Sequence, residues 1–160
     1  MENIVLSDLP NALVYAERII SVAVDLLRRN GQSDKEGGYF AVFEIGRANL
    51  VLLASIGYNL QSKIEGRQQV SQEKCTRILA NGHPTSYESR EPVAGRWGGA
   101  VRGEGYIFSF SGLPELWDEA AMFVLAIKLG QLHKSEVLRQ ISEERNPHLR
   151  PLLEACHWTE

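Results

Sequence analysis

The sequence predicts a single α+β domain in which one antiparallel sheet is flanked by helices. Two pairs of apolar runs have the character of hairpins, at residues 39–56 and 97–110, and a stretch with helical spacing separates them. Two further segments, 9–27 and 114–132, have helical periodicity. Hairpins separated by a helix favour antiparallel pairing over the parallel sheet of strand–helix repeats. The length suits one domain, assigned to residues 1–160.

The first helix is predicted at residues 9–27. Its apolar residues recur at the i, i+3, i+4, i+7 spacing of a helix with one buried stripe. Ser7 or Asp8 can cap the first turn, and Gly31 is typical of a helix end. Both ends of this element are therefore marked in the sequence.

The first hairpin is predicted from apolar runs at residues 39–45 and 50–56. Gly46 and Asn49 lie between them, where both tolerate a positive φ angle. The second run is apolar at almost every position, which is typical of a strand buried on both faces. We therefore expect this strand at the centre of the sheet.

A second helix is predicted at residues 62–81, because its few apolar residues lie at roughly helical spacing. The segment 83–96 has no period and is rich in small, polar and charged residues, so it is predicted to be a loop. The second hairpin follows, with strands at 97–102 and 105–110 joined by a tight turn at 103–104.

The third helix is predicted at residues 114–132, and its middle, 120–127, is apolar nearly all round. A helix exposed to solvent would not have that composition, so this one is either a core element or part of a subunit interface. Helices at 135–144 and after Pro147 close the chain. We treat residues 133–160 as a C-terminal helical extension.

Composition excludes several classes of function. The net charge is -3 and the pI is about 5.8, so the chain lacks the excess of basic residues that nucleic-acid binding requires. Cys75 and Cys156 belong to no CxxC pair, which argues against a disulfide framework or a thiolate metal site. No apolar stretch is long enough to span a bilayer and no signal peptide is recognised. The sequence therefore predicts a cytoplasmic protein without nucleic-acid or membrane partners.

The residues that carry chemistry in enzymes form no recognisable set. The four histidines are scattered and make no HxxxH or HExxH pair, so no metal site is predicted. No Ser-His-Asp order and no paired carboxylates can be argued. The glycine-rich stretch 95–105 matches neither of the common phosphate-loop motifs. We accordingly predict no catalytic residues and a protein that is not an enzyme.

A candidate ligand site lies where the last predicted strand meets the third helix. Hydroxyls and free amides at such a junction can bind an anionic group. Alternatively, Ser111 caps the helix and His83 is an ordinary loop histidine. The residues predicted to line the site are Ser111, Gly112, Tyr106, His83, Arg96 and Arg102.

Three short motifs carry a resemblance to a known family. Ser111-Gly112 is followed by Asp118-Glu119, residues 44–50 look like an Asp-x-x-Gly-x-Leu hairpin, and residues 73–76 look like a Lys-Ala-x-Thr helix. Together they resemble the GlcG/HbpS-like family of haem-binding or haem-degrading domains, also found at the end of PduO-type proteins. The resemblance covers residues 9–132 and implies a profilin-like or PAS-like arrangement with haem as a cofactor. The first helix, however, has no histidine to ligate the iron.

Two classes of function follow from these observations. The leading hypothesis is a non-enzymatic, homo-oligomeric domain that binds a small ligand, either haem or a small carboxylate, near Ser111, Tyr106 and His83. The alternative is a protein-interaction or scaffold domain without a small-molecule ligand, in which the apolar segment 120–127 forms the subunit interface.

Overall fold

The computed structural model of the chain describes residues 9–31 and 35–157. Ser7 and Asp8, considered above as helix caps, lie outside the described residues. The elements in chain order are α1 (Leu9–Arg29), β1 (Gly37–Glu44), β2 (Asn49–Gly57), α2 (Ile64–Asn81), β3 (Ala100–Arg102), β4 (Tyr106–Ser111), α3 (Glu115–Lys128), α4 (Lys134–Gln140) and α5 (Leu149–Ala155).

The four strands form one sheet in the order β2-β1-β4-β3, and every neighbouring pair is antiparallel. Strand β1 of the first hairpin thus pairs with strand β4 of the second, with Tyr39 of β1 opposite Ser111 of β4. The prediction of an α+β fold with an antiparallel sheet is confirmed. The likeness to profilin or PAS domains stays a prediction.

Helices cover both faces of the sheet because its central strands alternate apolar side chains between the faces. In β4, Phe108 and Phe110 pack with α1, α3 and α5, whereas Ile107 packs against α2. The α2 side includes the buried residues Cys75 and Ile78. The result is a layer of helices on each side of the sheet, with the larger core on the side of α1 and α3.

Helix α3 is buried within the chain itself. Its residues from Trp117 to Ala126 are all shielded from solvent, by the sheet on one side and by α1 and α5 on the other. Leu149 and Leu152 of α5 are fully buried in the same core. Of the two explanations for the apolar helix, the core element is therefore the one the structure supports, and the segment 120–127 is not available as a subunit interface.

The expectation that the second strand is central is wrong. Strand β1 is paired on both sides, whereas β2 lies at the edge of the sheet, with β1 as its neighbour. Most side chains of β2 are only half-buried, although the run from Leu50 to Ala54 is entirely apolar. An apolar run shows that a strand avoids water but not which element shields it.

Several boundaries also differ from the prediction. Strand β3 begins at Ala100 rather than at residue 97, because Gly98 and Gly99 belong to the preceding loop. In the β1–β2 turn the positive φ angle falls on Ala48, at 52°, rather than on Gly46 or Asn49. Helix α3 ends at Lys128, ahead of Gly130, whose φ of 72° ends the helical path.

Candidate functional site

The predicted site residues do not converge on one place. Ser111 and Gly112 lie at one end of β4, and Tyr106 begins the same strand at its other end. Ser111 follows Tyr106 by five positions of extended strand, so their Cα atoms lie about 17 Å apart. One small ligand therefore cannot contact both ends.

His83 and Arg102 lie at the Tyr106 end of the sheet but on the opposite face. The Arg102 N–H donates to the carbonyl of Pro84 at 2.9 Å, which brings the residues after α2 beside β3. The ring of Tyr106 packs with α1 and α3 on the other face. His83 donates its backbone N–H to the side chain of Asn81, and its buried Nδ1 has no hydrogen-bond partner in the described part of the chain.

At the Ser111 end, a carboxylate of the chain itself occupies the position considered for an anionic ligand. Asp118 accepts the Leu113 N–H at 3.0 Å through Oδ1, and thereby satisfies a free amide before α3. The residue that precedes the helix is Pro114, and it makes no side-chain capping bond. Asp118 thus performs the role considered for Ser111. Arg96 is exposed in the loop, 3.9 Å from Glu91.

Gly112 is explained by a close approach of two strands rather than by a ligand. A Cβ atom at this position would collide with the backbone carbonyl of Gly37 in β1. Only glycine lets the chain leave β4 and turn into α3 so close to β1. The glycine at 112 is therefore a packing requirement of the fold.

The junction contains a buried ion pair that joins α2, β4 and α3. Lys74 is 1% exposed, and its Nζ donates to the carbonyl of Phe110 at 2.7 Å and to Oδ2 of Asp118 at 3.4 Å. Gly99 leaves room for the ammonium, because a Cβ there would lie 2.6 Å from Nζ.

Burial acts in opposite directions on the two partners of this pair. It lowers the pKa of Lys74, against the attraction of Asp118. It raises the pKa of Asp118 to about 7, against the favourable contacts with Lys74 and with the Leu113 amide. Lys74 and Asp118 are 1% and 2% exposed, so the pair joins the three elements in the interior of the chain.

Partly buried charged side chains also hold the loop between α2 and β3 in place. Arg77 of α2 donates to the carbonyls of Ser86 at 3.0 Å, Ser89 at 2.8 Å and Trp97, so one guanidinium fixes three points of the loop. Glu115 of α3 pairs with Arg90 and accepts the backbone N–H of Gly98.

Glu119 points away from Asp118, as expected for adjacent residues of a helix. Its two carboxylate oxygens each accept a bond of 2.8 Å from Arg145, and Asn146 donates to the same group at 2.9 Å. Arg145 also lies over the ring of Tyr87, 3.8 Å from the centroid. These charges are satisfied by one another, which marks a structural network rather than a reactive site.

The outer edge of β3 is closed by this loop. Ser86 donates its N–H to the carbonyl of Ala100 at 3.0 Å, and the Ser86 hydroxyl accepts the Ala100 N–H at the same distance. Arg102 bonds to Pro84, and Thr85 pairs with Val101. The N–H and C=O of Ala100 and the N–H of Arg102, which β3 turns away from the sheet, are thereby satisfied.

In the part of the chain that the structure describes, the outer edge of β2 is open. Ile45 donates to Gly105, so the odd-numbered residues of β1 turn their backbone groups toward β4 and the even-numbered ones toward β2. Leu53 and Ser55 lie opposite odd-numbered residues, and so turn their N–H and C=O groups outward. Within residues 9–31 and 35–157, no backbone hydrogen bond from outside the sheet reaches either of them.

Two cavities lie near these elements. One, of about 220 Å³, is lined by Tyr106 and Phe108 of β4, Tyr15 of α1 and Lys128 of α3 among others. The other is a groove of about 430 Å³ between α1 and the end of β2. The first is smaller than the roughly 300 to 1,000 Å³ of most ligand pockets. Among the described residues, its lining contains two tyrosines, Tyr15 and Tyr106, but no histidine, cysteine or methionine to ligate a haem iron.

Among the described residues, no cluster of histidine, cysteine and carboxylate side chains could hold a metal ion. None of the helices in that part of the chain combines the length and apolar character needed to cross a bilayer. Comparisons of the chain with protein-family profiles, with curated proteins and with solved structures found no match.

Proposed function

We propose that this chain is a non-enzymatic protein-interaction domain that forms homo-oligomers by pairing β2 of one copy with β2 of another. The observation that carries the proposal is the open, uncharged edge of β2, from Asn49 to Gly57. Proteins generally protect such edges with charges, prolines, bulges or covering segments. Strand β2 has a bulge where Val42 and Phe43 pair with it, but no charge and no proline.

A second copy suits this edge because β2 is compatible with itself. Antiparallel pairing of two identical strands has two-fold symmetry, the commonest symmetry of homo-oligomers. With Leu53 at the axis, its outward N–H donates to the C=O of the partner's Leu53, its C=O accepts from the N–H of the partner's Leu53, and no like charges face each other. The two four-stranded sheets would then form one continuous sheet.

The reason to expect homo-oligomers is the edge of β2 rather than helix α3. The apolar segment of α3 is covered within the chain, so it supplies no surface for a partner. The half-buried leucines at positions 50, 52 and 53 do supply one. Pairing would remove their remaining apolar surface from water, which stabilises a complex by about 25 cal/mol per Å² before the costs of association.

A lysine on the strand tests the proposal. Sedimentation equilibrium at micromolar concentration should give the wild type about twice the chain mass of 17.9 kDa and should give Leu53→Lys that single mass. The charge would have to be buried at the two-fold axis beside its copy, and exposed lysines are a natural device against edge pairing. Val93→Lys, at a fully exposed loop position, is the matched control and should sediment like the wild type. A wild type that sediments at the mass of one chain would contradict the proposal.

A second proposal is that the cavity beside Tyr106 binds a small carboxylate. Its lining combines the cation of Lys128 with the aromatic rings of Tyr15 and Tyr106, a composition suited to a short anionic metabolite. Calorimetric titration with succinate should show binding to the wild type and weaker binding to Lys128→Met. Equal heats from both proteins would contradict it.

A further inference from the structure

We infer that the two paired copies are held in register by Arg47, whose guanidinium enters the acidic groove between α1 and β2 of the partner. This inference rests on the proposed pairing of β2 strands and adds to it the groups that select one alignment. Its basis is the position of one exposed cation and of one negatively charged groove at opposite ends of the same strand.

The groove has a net negative charge. Its lining includes three carboxylates, from Glu17 and Asp25 of α1 and from Glu36 before β1, and one guanidinium, from Arg28. Arg28 lies 2.6 Å from Glu36, so that pair is compensated. Glu17 and Asp25 leave the groove with two further negative charges. A cation approaching along the edge of β2 would therefore be attracted.

Arg47 is positioned to supply that cation. It lies in the turn between β1 and β2, its side chain is 82% exposed, and its contact with Glu44 is long, at 3.8 Å. The side chain can leave this contact easily, since exposed ion pairs contribute little to stability. Within one copy the turn lies at the opposite end of β2 from the groove, because Ser55, Ile56 and Gly57 line the groove.

Antiparallel pairing brings these two ends together in different copies. Arg47 and Asn59 lie equally far from Leu53 along the chain, so pairing about Leu53 places the turn of one copy beside the Gly57–Asn59 end of the other. A slip of two residues would move Arg47 by about 7 Å along the strand and away from the groove. The two-fold axis generates the contact twice.

The apolar strand alone would not fix the alignment. Leucines at positions 50, 52 and 53 could meet one another in more than one register, because the strand has no charged residue to forbid a slip. Complementary charges at the ends of an interface select register and partner more than they add affinity. Arg47 and the groove are therefore the specificity determinants of this edge.

Charge reversal followed by charge exchange tests the inference on the full-length chain. Arg47→Glu replaces two attractive contacts of the dimer by two repulsive ones, whereas Asp25→Arg places a like charge near the partner's Arg47 and brings the net charge of the groove from two negative charges to zero. Each should therefore weaken the dimer about tenfold in 50 mM salt. The double variant, with both changes, restores opposite charges at each contact and should return the dissociation constant to within about threefold of the wild type. Both positions are exposed, so the fold should not be affected. Arg139→Glu, on the exposed side of α4, is the control and should leave the dimer unchanged.

The outcomes separate this inference from the proposal beneath it. If the wild type is a dimer that Leu53→Lys dissociates, but the double variant dimerises no better than the single ones, the register contact is wrong and the edge pairing stands. Single variants that dimerise like the wild type lead to the same conclusion. A monomeric wild type overturns both.

Discussion

The two edges of the sheet are treated in opposite ways. At β3, three residues of strand are covered by a loop whose backbone and serine hydroxyl satisfy both outward groups of Ala100 and the outward N–H of Arg102. At β2, nine residues of strand have an apolar, half-buried surface and no covering segment among the described residues. A long loop and several buried charges thus close the shorter edge. That contrast is the strongest reason to regard the open edge as a contact surface.

The two edges also depend on different forces. The closed edge depends on hydrogen bonds and ion pairs whose partners are buried, where losing one member costs most. The open edge depends on apolar contacts with the helices beneath it and on the ladder with β1. Substitutions that remove polar groups should therefore affect the β3 edge alone, and this difference can be measured.

The largest effect is expected at Arg77. Arg77→Ala would remove the donor that the carbonyls of Ser86, Ser89 and Trp97 share. Because these bonds are part-buried or exposed and the Ser86 carbonyl also accepts from the Ser89 hydroxyl, the free energy of unfolding should fall by about 2 kcal/mol. Urea denaturation measures the loss. Hydrogen exchange should show the amides of Ala100 and Arg102 losing protection.

Two variants of α2 serve as controls for that experiment. Arg77→Lys retains the charge but not the planar fork, so it should be destabilised less than the alanine variant. Arg67→Ala removes a guanidinium that bonds to the side chain of Asn59 and not to the loop, so it should leave the β3 edge protected. An Arg77→Ala protein with unchanged protection at Ala100 would show that the loop closes the edge without Arg77.

The next effect is a pH dependence that depends on Asp118. Burial raises its pKa to about 7 in the folded protein, whereas an aspartate of the unfolded chain titrates near 3.9. The folded state binds the proton more tightly, so this contribution to stability is fully present below about pH 4 and is lost as the pH rises through 7. In urea denaturation from pH 4 to 7, Asp118→Asn should lose less stability than the wild type.

An exposed acid provides the comparison for the pH experiment. Glu91→Gln, in the loop near Arg96, removes an exposed carboxylate and leaves Asp118 in place, so it should keep the wild-type loss of stability between pH 4 and 7. If the Asp118→Asn protein also follows the wild type from pH 4 to 7, the proton does not reside on Asp118.

The smallest effect is expected at Ser86. Ser86→Ala removes the hydroxyl that accepts the Ala100 N–H and should cost about 1 kcal/mol, or more if no water replaces it. The Ala100 amide should exchange faster, while the Arg102 amide, which bonds to Pro84, should keep its protection. Equal changes at both amides would mean that the whole loop detaches rather than one bond.

The elements that sequence reasoning located correctly are those whose signal is local. The i, i+3, i+4, i+7 pattern of α1 and the glycine after it depend on the helix alone, and α1 ends at Arg29 as its end signals indicate. The position of β2 in the sheet is not local. A strand that is half-buried at an edge and one that is buried at the centre have the same apolar composition, so the run 50–54 could not distinguish them.

The candidate site shows the same limit. The junction after β4 was identified from Ser111 and Gly112, but its ligand is Asp118 of the same chain. Lys74 lies in a buried stripe with Ser71, Cys75 and Ile78 at helical spacing, and a lysine within such a stripe signals a buried partner. The identity of that partner depends on tertiary packing across 44 residues of sequence, which no local pattern contains.

The close approach of Gly99 to the buried lysine links three positions that are far apart in the sequence. Gly99 has a φ of 121° and leaves no room for a Cβ beside Nζ of Lys74, while Asp118 lies on its other side. A side chain at 99 would displace the ammonium and leave the carboxylate buried alone, and the glycine is required in addition by its positive φ angle and by the backbone carbonyl of Phe110, 3.0 Å from where a Cβ would lie. In descendants of this chain, a glycine at 99 should accordingly accompany Lys74 and Asp118 wherever that pair is inherited.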